Sequence, residues 1–166
     1  MLQFKNLVFS TENKTIKLQV AHHFSELDSA FAQIQVAGEN KNSHMAAKMI
    51  CSSESDRMQY ISHTIDGSVL TILQESPNIR CETTIEAYDD TNALRVRNKV
   101  TNITSEDIVL EEVAALCITG LGDKENPEDL LVTKFLQSHQ TECQPQTRSM
   151  KEMGVYGGVR QTQHRM

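Results

Sequence analysis

Two adjacent acid pairs, Asp89-Asp90 and Glu111-Glu112, are the side chains that invite a hydrolytic reading of this chain. A glycosidase needs two carboxylates flanking one scissile bond, one protonated and one ionised. Adjacency works against both pairs. Asp89-Asp90 falls in a turn, and Glu111-Glu112 falls in a strand, where neighbouring side chains point to opposite faces and do not converge on one substrate. The histidines, His22-His23, His44, His63, His139 and His164, are scattered. No H-E-x-x-H motif and no carboxylate at metal-ligand spacing sets one of them apart, so surface or hydrogen-bonding roles are expected. A serine nucleophile lacks its G-x-S-x-G elbow, and the seven glycines form no phosphate-binding loop. Gly120-Leu121-Gly122 reads as a loop.

The softer side chains point the same way. Cys51, Cys81, Cys117 and Cys143 are widely spaced without a C-x-x-C pair, which argues against a zinc site or redox motif and for buried free thiols. Met45, Met49 and Met58 suit core filling better than an adaptable pocket. Sugar-binding surfaces need flat rings; the chain has no Trp, and Tyr60, Tyr88 and Tyr156 are the remaining platforms. Tyr60 and Tyr88 occupy strand positions that suit half-buried structural roles. Catalytic, cofactor-binding and metal-binding residues are therefore all assigned as none.

The elements that position these residues are written in a two-residue alternation from Ile79 to Leu121. Ile79, Cys81, Thr83, Ile85 and Ala87 share one face of a strand, with Arg80, Glu82, Thr84 and Glu86 on the other. Leu94, Val96 and Val100 alternate with Arg95, Arg97 and Lys99, and the pattern resumes at Ile108, Leu110, Ala114, Leu116 and Ile118. One buried and one wet face argues antiparallel pairing. Strands are expected over Phe4–Phe9, Thr15–Ala21, Ala32–Ala37, Arg57–Ile65, Val69–Glu75, Ile79–Tyr88, Ala93–Asn102, Ile108–Thr119 and Leu130–Gln137, a spacing typical of sandwiches and barrels. Asp66-Gly67, Ser76-Pro77-Asn78 and Asp89-Asp90-Thr91-Asn92 supply turns. The best helix candidate is short, Thr147–Met153, with Gly154 to end it. The fold class is all-β and antiparallel, with at most one or two short helices.

Sixteen basic against twenty-two acidic residues give a net charge of −6, which disfavours nucleic acid and anionic membrane surfaces as partners. No apolar run approaches the roughly 20 residues that span a bilayer, and Met1–Ser10 lacks the apolar core of a signal peptide, so a cytoplasmic location is expected. The sequons Asn13-Lys14-Thr15 and Asn102-Ile103-Thr104 read as turn chemistry. The length suits one domain over residues 1–154, followed by a frayed tail over 155–166.

Gly38-Glu39-Asn40-Lys41-Asn42-Ser43-His44-Met45-Ala46-Ala47-Lys48 resembles the N-terminal domain of α-galactosidases of glycoside hydrolase family 36. Three further segments agree in order and spacing: Tyr60-Ile61-Ser62-His63 leading to Gln74-Glu75-Ser76-Pro77; Glu86-Ala87-Tyr88-Asp89-Asp90 followed by Leu94 to Asn102; and Thr133 to Gly154. Together they cover most of residues 15–154. The resemblance implies an antiparallel β-supersandwich similar to galactose mutarotase, preceding a catalytic (β/α)8 barrel that holds both catalytic aspartates. It makes this chain an inert excised domain that supports barrel packing, with the barrel of the same polypeptide as partner, an α-galactoside as the parent's substrate, and a homo-oligomeric assembly. The family's exit segment carries a Trp and a Glu-Gly pair; here Phe135 to Gln144 keeps Glu142 alone, which leaves the parent's α-linked sugar open. Gln140–Met153, with Glu142 and Arg148, is the candidate domain interface. A stand-alone carbohydrate-binding module and an aldose epimerase are the competing readings.

Overall fold

The computed structural model describes residues 1–20, 23–24, 32–38, 53–116, 129–138 and 141–153. They fall in two compact units, Met1–Thr119 and Gly120–Met166. The expected tail over 155–166 lies outside the described residues.

The first unit is antiparallel and sandwich-like. Its first sheet runs β1 (Leu2–Phe4), β2 (Leu7–Ser10), β3 (Lys17–Val20) and β4 (His23–Phe24), in that spatial order. Its second is a meander of β6 (Gln59–Asp66), β7 (Val69–Glu75), β8 (Ile79–Ala87) and β9 (Leu94–Asn102). A two-stranded pair joins β5 (Ile34–Val36) to β10 (Leu110–Val113).

The alternation read along β8 is realised: Ile79, Cys81, Thr83, Ile85 and Ala87 are all buried, while Arg80 is exposed. That single face serves two apolar clusters. Ile85 and Ala87 join Leu70 and Ile72 of β7 against Leu2, Phe4, Phe9, Ile16 and Leu18 from the first sheet and its connection. Ile79 and Cys81 join Ala32, Ile34, Val36 and Met58 in the second. Removing side chains of this size from water stabilises by about 1.5–3 kcal/mol each, which is what holds the layers together. Thr83 stands between the clusters and donates to Asn98 Oδ1 at 2.6 Å. The Asn98 amide in turn donates to the carbonyls of Ala114 and Ala115 at 2.9 and 3.0 Å, so both of these side chains are satisfied.

The opposite face of the meander is held in water by cross-strand ion pairs: Arg80 to Glu75 at 2.6 Å, Lys99 to Glu82 at 3.1 Å and Arg97 to Glu86 at 3.7 Å. The β6–β7 hairpin closes on Asp66 opposite Val69, leaving Gly67-Ser68 as a two-residue loop with Gly67 at φ +56°. Glycine is at home there because a Cβ crowds the backbone at positive φ.

Several expected boundaries move. Phe4–Phe9 is not one strand but a hairpin, with Phe4 opposite Leu7. Arg57 ends a five-residue helix, α1 (Ser53–Arg57), whose acidic first turn and basic last residue complement the helix dipole. The Ile108–Thr119 strand contracts to β10, interrupted by a register shift between Leu110 and Glu112; residues 117–119 lie outside the described residues.

The second unit is a hairpin of β11 (Leu131–Ser138) and β12 (Thr141–Ser149). The helix expected over Thr147–Met153 is not formed. Thr147 is in β12, where its hydroxyl lies 2.9 Å from that of Thr133 across the pair. Ser149 and Glu152 then make a reciprocal capping box, with Ser149 N–H donating to Glu152 Oε2 at 2.8 Å and Glu152 N–H to Ser149 Oγ at 3.2 Å. One turn follows, closed by Met153 N–H to the Ser149 carbonyl at 3.1 Å. The methionine spacing reflects this cap and not a helix face.

Candidate functional site

The two predicted interface residues both fall on β12. Arg148 lies opposite Val132, is exposed, and makes no ion pair among the described residues. Glu142 lies where the register slips, between the Ser138–Thr141 and Leu136–Gln144 pairings. The hairpin has a second feature that sequence reasoning missed. Leu131, Thr133 and Phe135 alternate onto one face opposite Ser149, Thr147 and Pro145, and Leu131 and Phe135 remain 63% and 71% exposed. Arg148 belongs by register to the other face, with Val132 and Lys134. An isolated two-stranded hairpin is marginal in water, and a bare Phe-Leu-Pro stripe on one is a surface suited to contact. The signal was present as alternation in Leu131-Val132-Thr133-Lys134-Phe135, but both faces of that run carry an apolar residue.

The two acid pairs lie in different elements. Asp89 is in the β8–β9 turn, exposed and bound by Lys5 Nζ at 2.7 Å. Glu111 and Glu112 lie at the β10 register shift. His63 is hydrogen-bonded to Tyr60, and the two rings stack with centroids 6.2 Å apart. That i,i+3 contact within a strand follows from the bulge at Ile61, which moves Tyr60 and His63 onto one face: they pair with Gln74 and Ile72 respectively. Desolvation pushes the Tyr60 phenol above its ordinary pKa, keeping it protonated. Tyr60 is half-buried, while Tyr88 is 42% exposed. Met58 fills the second core, and Met45 and Met49 lie outside the described residues.

Cys81 is a buried free thiol pushed upward by desolvation first, with the Glu82 charge adding to it and a Thr83 contact opposing. Cys51 and Cys117 lie outside the described residues, and so do His22, His44, His139, His164 and Gly120-Leu121-Gly122. Among the described residues no three His, Cys, Asp or Glu side chains gather to hold a metal. Asn102 accepts from Thr104 N–H at 2.9 Å and donates to the Glu106 carbonyl at 2.7 Å, which is turn chemistry at that sequon.

The largest concentration of buried polar chemistry was not foreseen. Glu54 on α1 is fully buried. It accepts from the Ser76 hydroxyl and the Arg57 guanidinium, and from the Asn78 amide at 3.2 Å. Ser76 Oγ also accepts from Ile79 N–H at 2.9 Å, and next to Glu54, Ser55 Oγ accepts from Ile34 N–H at 2.8 Å. The cluster therefore ties α1 to β5 and to the β7–β8 turn. A carboxylate surrounded by donors, on a helix braced on two sides, is a staple and not a base facing a substrate. Only the Ser76-Pro77-Asn78 turn was legible beforehand, because its partner lies more than twenty residues upstream.

No protein-family model, no curated protein and no solved structure matches this chain. No helix among the described residues is long and apolar enough to cross a membrane.

Proposed function

We propose that this chain is the non-catalytic N-terminal domain of a retaining α-galactosidase, a cytoplasmic homo-oligomer whose two catalytic carboxylates lie in a (β/α)8 barrel of the same polypeptide. The observation that carries the reading is the use made of the carboxylates. Glu75, Glu82, Glu86 and Asp89 each engage a cation on another strand or turn, and Glu54 engages Arg57 on its own helix, so these side chains serve as ties in the scaffold. The antiparallel sandwich-like unit and the ordered series of family-like segments support the same assignment. Contact is then the domain's task, and the β11–β12 hairpin is its docking element. Its Phe135 stripe and the Arg148 face are the two surfaces offered to the barrel.

The test is made on the coding region and on the protein. Sequence beyond the Met166 codon is expected to continue in frame into a barrel. In the full-length enzyme Arg148→Glu and Phe135→Ser are expected to lower the melting temperature and loosen the oligomer. The isolated 166-residue chain is expected to leave a chromogenic α-galactoside intact. Hydrolysis by the isolated chain, or unchanged stability and oligomeric state in both variants, refutes the reading.

A further inference from the structure

We infer that the notch between the β1–β2 and β8–β9 turns is a binding site for a neutral, hydroxyl-rich molecule of monosaccharide size. The inference extends the proposed function to a named subsite, and its test is independent of whether a barrel exists. The notch encloses about 320 Å³, at the small end of ligand pockets. Its lining combines apolar and polar side chains. Its apolar lining is Leu7, Ala93 and the pair Ala87 and Leu94 at the mouth of the β8–β9 hairpin, where Leu94 remains 42% exposed. Asn6, Asn92, Thr91 and Tyr88 bring polar groups to the lining.

Charge selects the ligand class. The two ionised side chains of the lining, Lys5 and Asp89, bind each other at 2.7 Å across turns 84 residues apart. Their charges cancel, so the site offers ammonium protons and a carboxylate oxygen as hydrogen-bond partners without net attraction for a phosphate or an amine. Paired donors and acceptors beside apolar side chains suit a ring with hydroxyls on its rim and C–H groups on its face.

The lining is held in place before any ligand arrives. The β8–β9 loop braces itself through Thr91 N–H to the Tyr88 carbonyl at 3.3 Å and Ala93 N–H to Thr91 Oγ1 at 3.1 Å. Lys5 occupies the first position of a two-residue hairpin loop at φ +51°, where a residue with a Cβ is strained by about 1–2 kcal/mol and glycine is preferred.

The experiment titrates the isotope-labelled full chain with methyl α-galactoside and methyl α-glucoside while following backbone amide resonances. Saturable shifts centred on residues 5–6 and 88–94, with millimolar affinity, are expected. Asn92→Ala, at an exposed residue of the loop, is expected to weaken binding roughly threefold to tenfold, the loss of one hydrogen bond. Lys5→Gly, which relieves the backbone strain and so preserves folding, is expected to weaken it similarly. Galacturonate and galactosamine are expected to bind less tightly than the neutral glycosides. Absence of saturable shifts, shifts centred elsewhere, or wild-type affinity in both variants overturns the site, and equal binding of the charged sugars overturns the ligand class.

Discussion

Replacing Glu54 with Gln tests whether the buried carboxylate is the staple of α1. The glutamate accepts through both oxygens: one takes the Ser76 hydroxyl, the other the Arg57 guanidinium and the Asn78 amide. Glutamine keeps the shape and one acceptor, but it turns an N–H2 group toward a neighbour that is itself a donor. Two relaxations limit the damage. Ser76 can redirect its hydroxyl to the Ile79 carbonyl, 3.3 Å away, and the Arg57 side chain, 42% exposed, can be rehydrated. What remains is one charge-assisted bond lost at Asn78 and one donor left facing a donor in a buried place, together about 2–4 kcal/mol. Urea unfolding followed by circular dichroism should show a lower midpoint at unchanged slope, since the surface exposed on unfolding is the same. Hydrogen exchange should accelerate first at the amides of residues 53–58 and 76–79, because α1 and the turn share the carboxylate. A double-mutant cycle with Ser76→Ala should return a coupling of about 0.5–3 kcal/mol. Unfolding free energies within about 0.5 kcal/mol of wild type, or strict additivity with Ser76→Ala, would refute the staple.

Gly67→Ala isolates backbone strain. A Cβ there meets nothing within 4 Å, so the loss of about 1 kcal/mol seen in urea unfolding should come from the positive φ alone. Gln74→Met should raise stability by about 1 kcal/mol, because Gln74 is buried with its Oε1 lacking a hydrogen-bond partner and methionine fills the same volume without a polar atom; a lower midpoint contradicts this. Cys81 links stability to alkaline pH. Its folded pKa is raised above the ordinary 9.0, so the folded chain holds the proton more tightly; the contribution is complete below that value and is lost as pH rises through it toward the folded pKa. Cys81→Ala should flatten the fall in stability above pH 9, and peptide mapping after native alkylation should find Cys81 unmodified.

The fold was legible where one strand face is buried throughout. Along β8 the pattern fixes every side chain, because a one-residue slip would put Arg80 and Glu82 into the core. It failed where hydrogen bonding outweighs periodicity. Ser53-Glu54-Ser55-Asp56-Arg57 has no apolar residue to display a helical stripe, and it becomes α1 because Glu54 and Ser55 find partners on distant turns and strands. Ser149 and Glu152 mimic a helix start with a capping box that supports one turn only. The bulges at Ile61 and near Glu111 reset the side-chain phase, and this change has no signature in a single sequence.

The division of labour along β8 explains why this scaffold has one rigid middle and workable ends. Apolar clusters occupy both halves of its inner face, and the Thr83–Asn98 link between them fixes β9 and the segment at Ala114-Ala115 in a single arrangement. A hydrogen-bonded pair in that position specifies register more than it stabilises, since a sliding β9 would leave Thr83 and Asn98 unpaired in a buried place. Asn98→Leu should accordingly cost about 1–3 kcal/mol in unfolding free energy, because buried Thr83 loses its acceptor, and should release residues 110–116 to faster hydrogen exchange. Retained protection of that segment would show that the β5–β10 pairing alone holds it, and would move the origin of the sandwich's order from this polar link to the apolar clusters on either side.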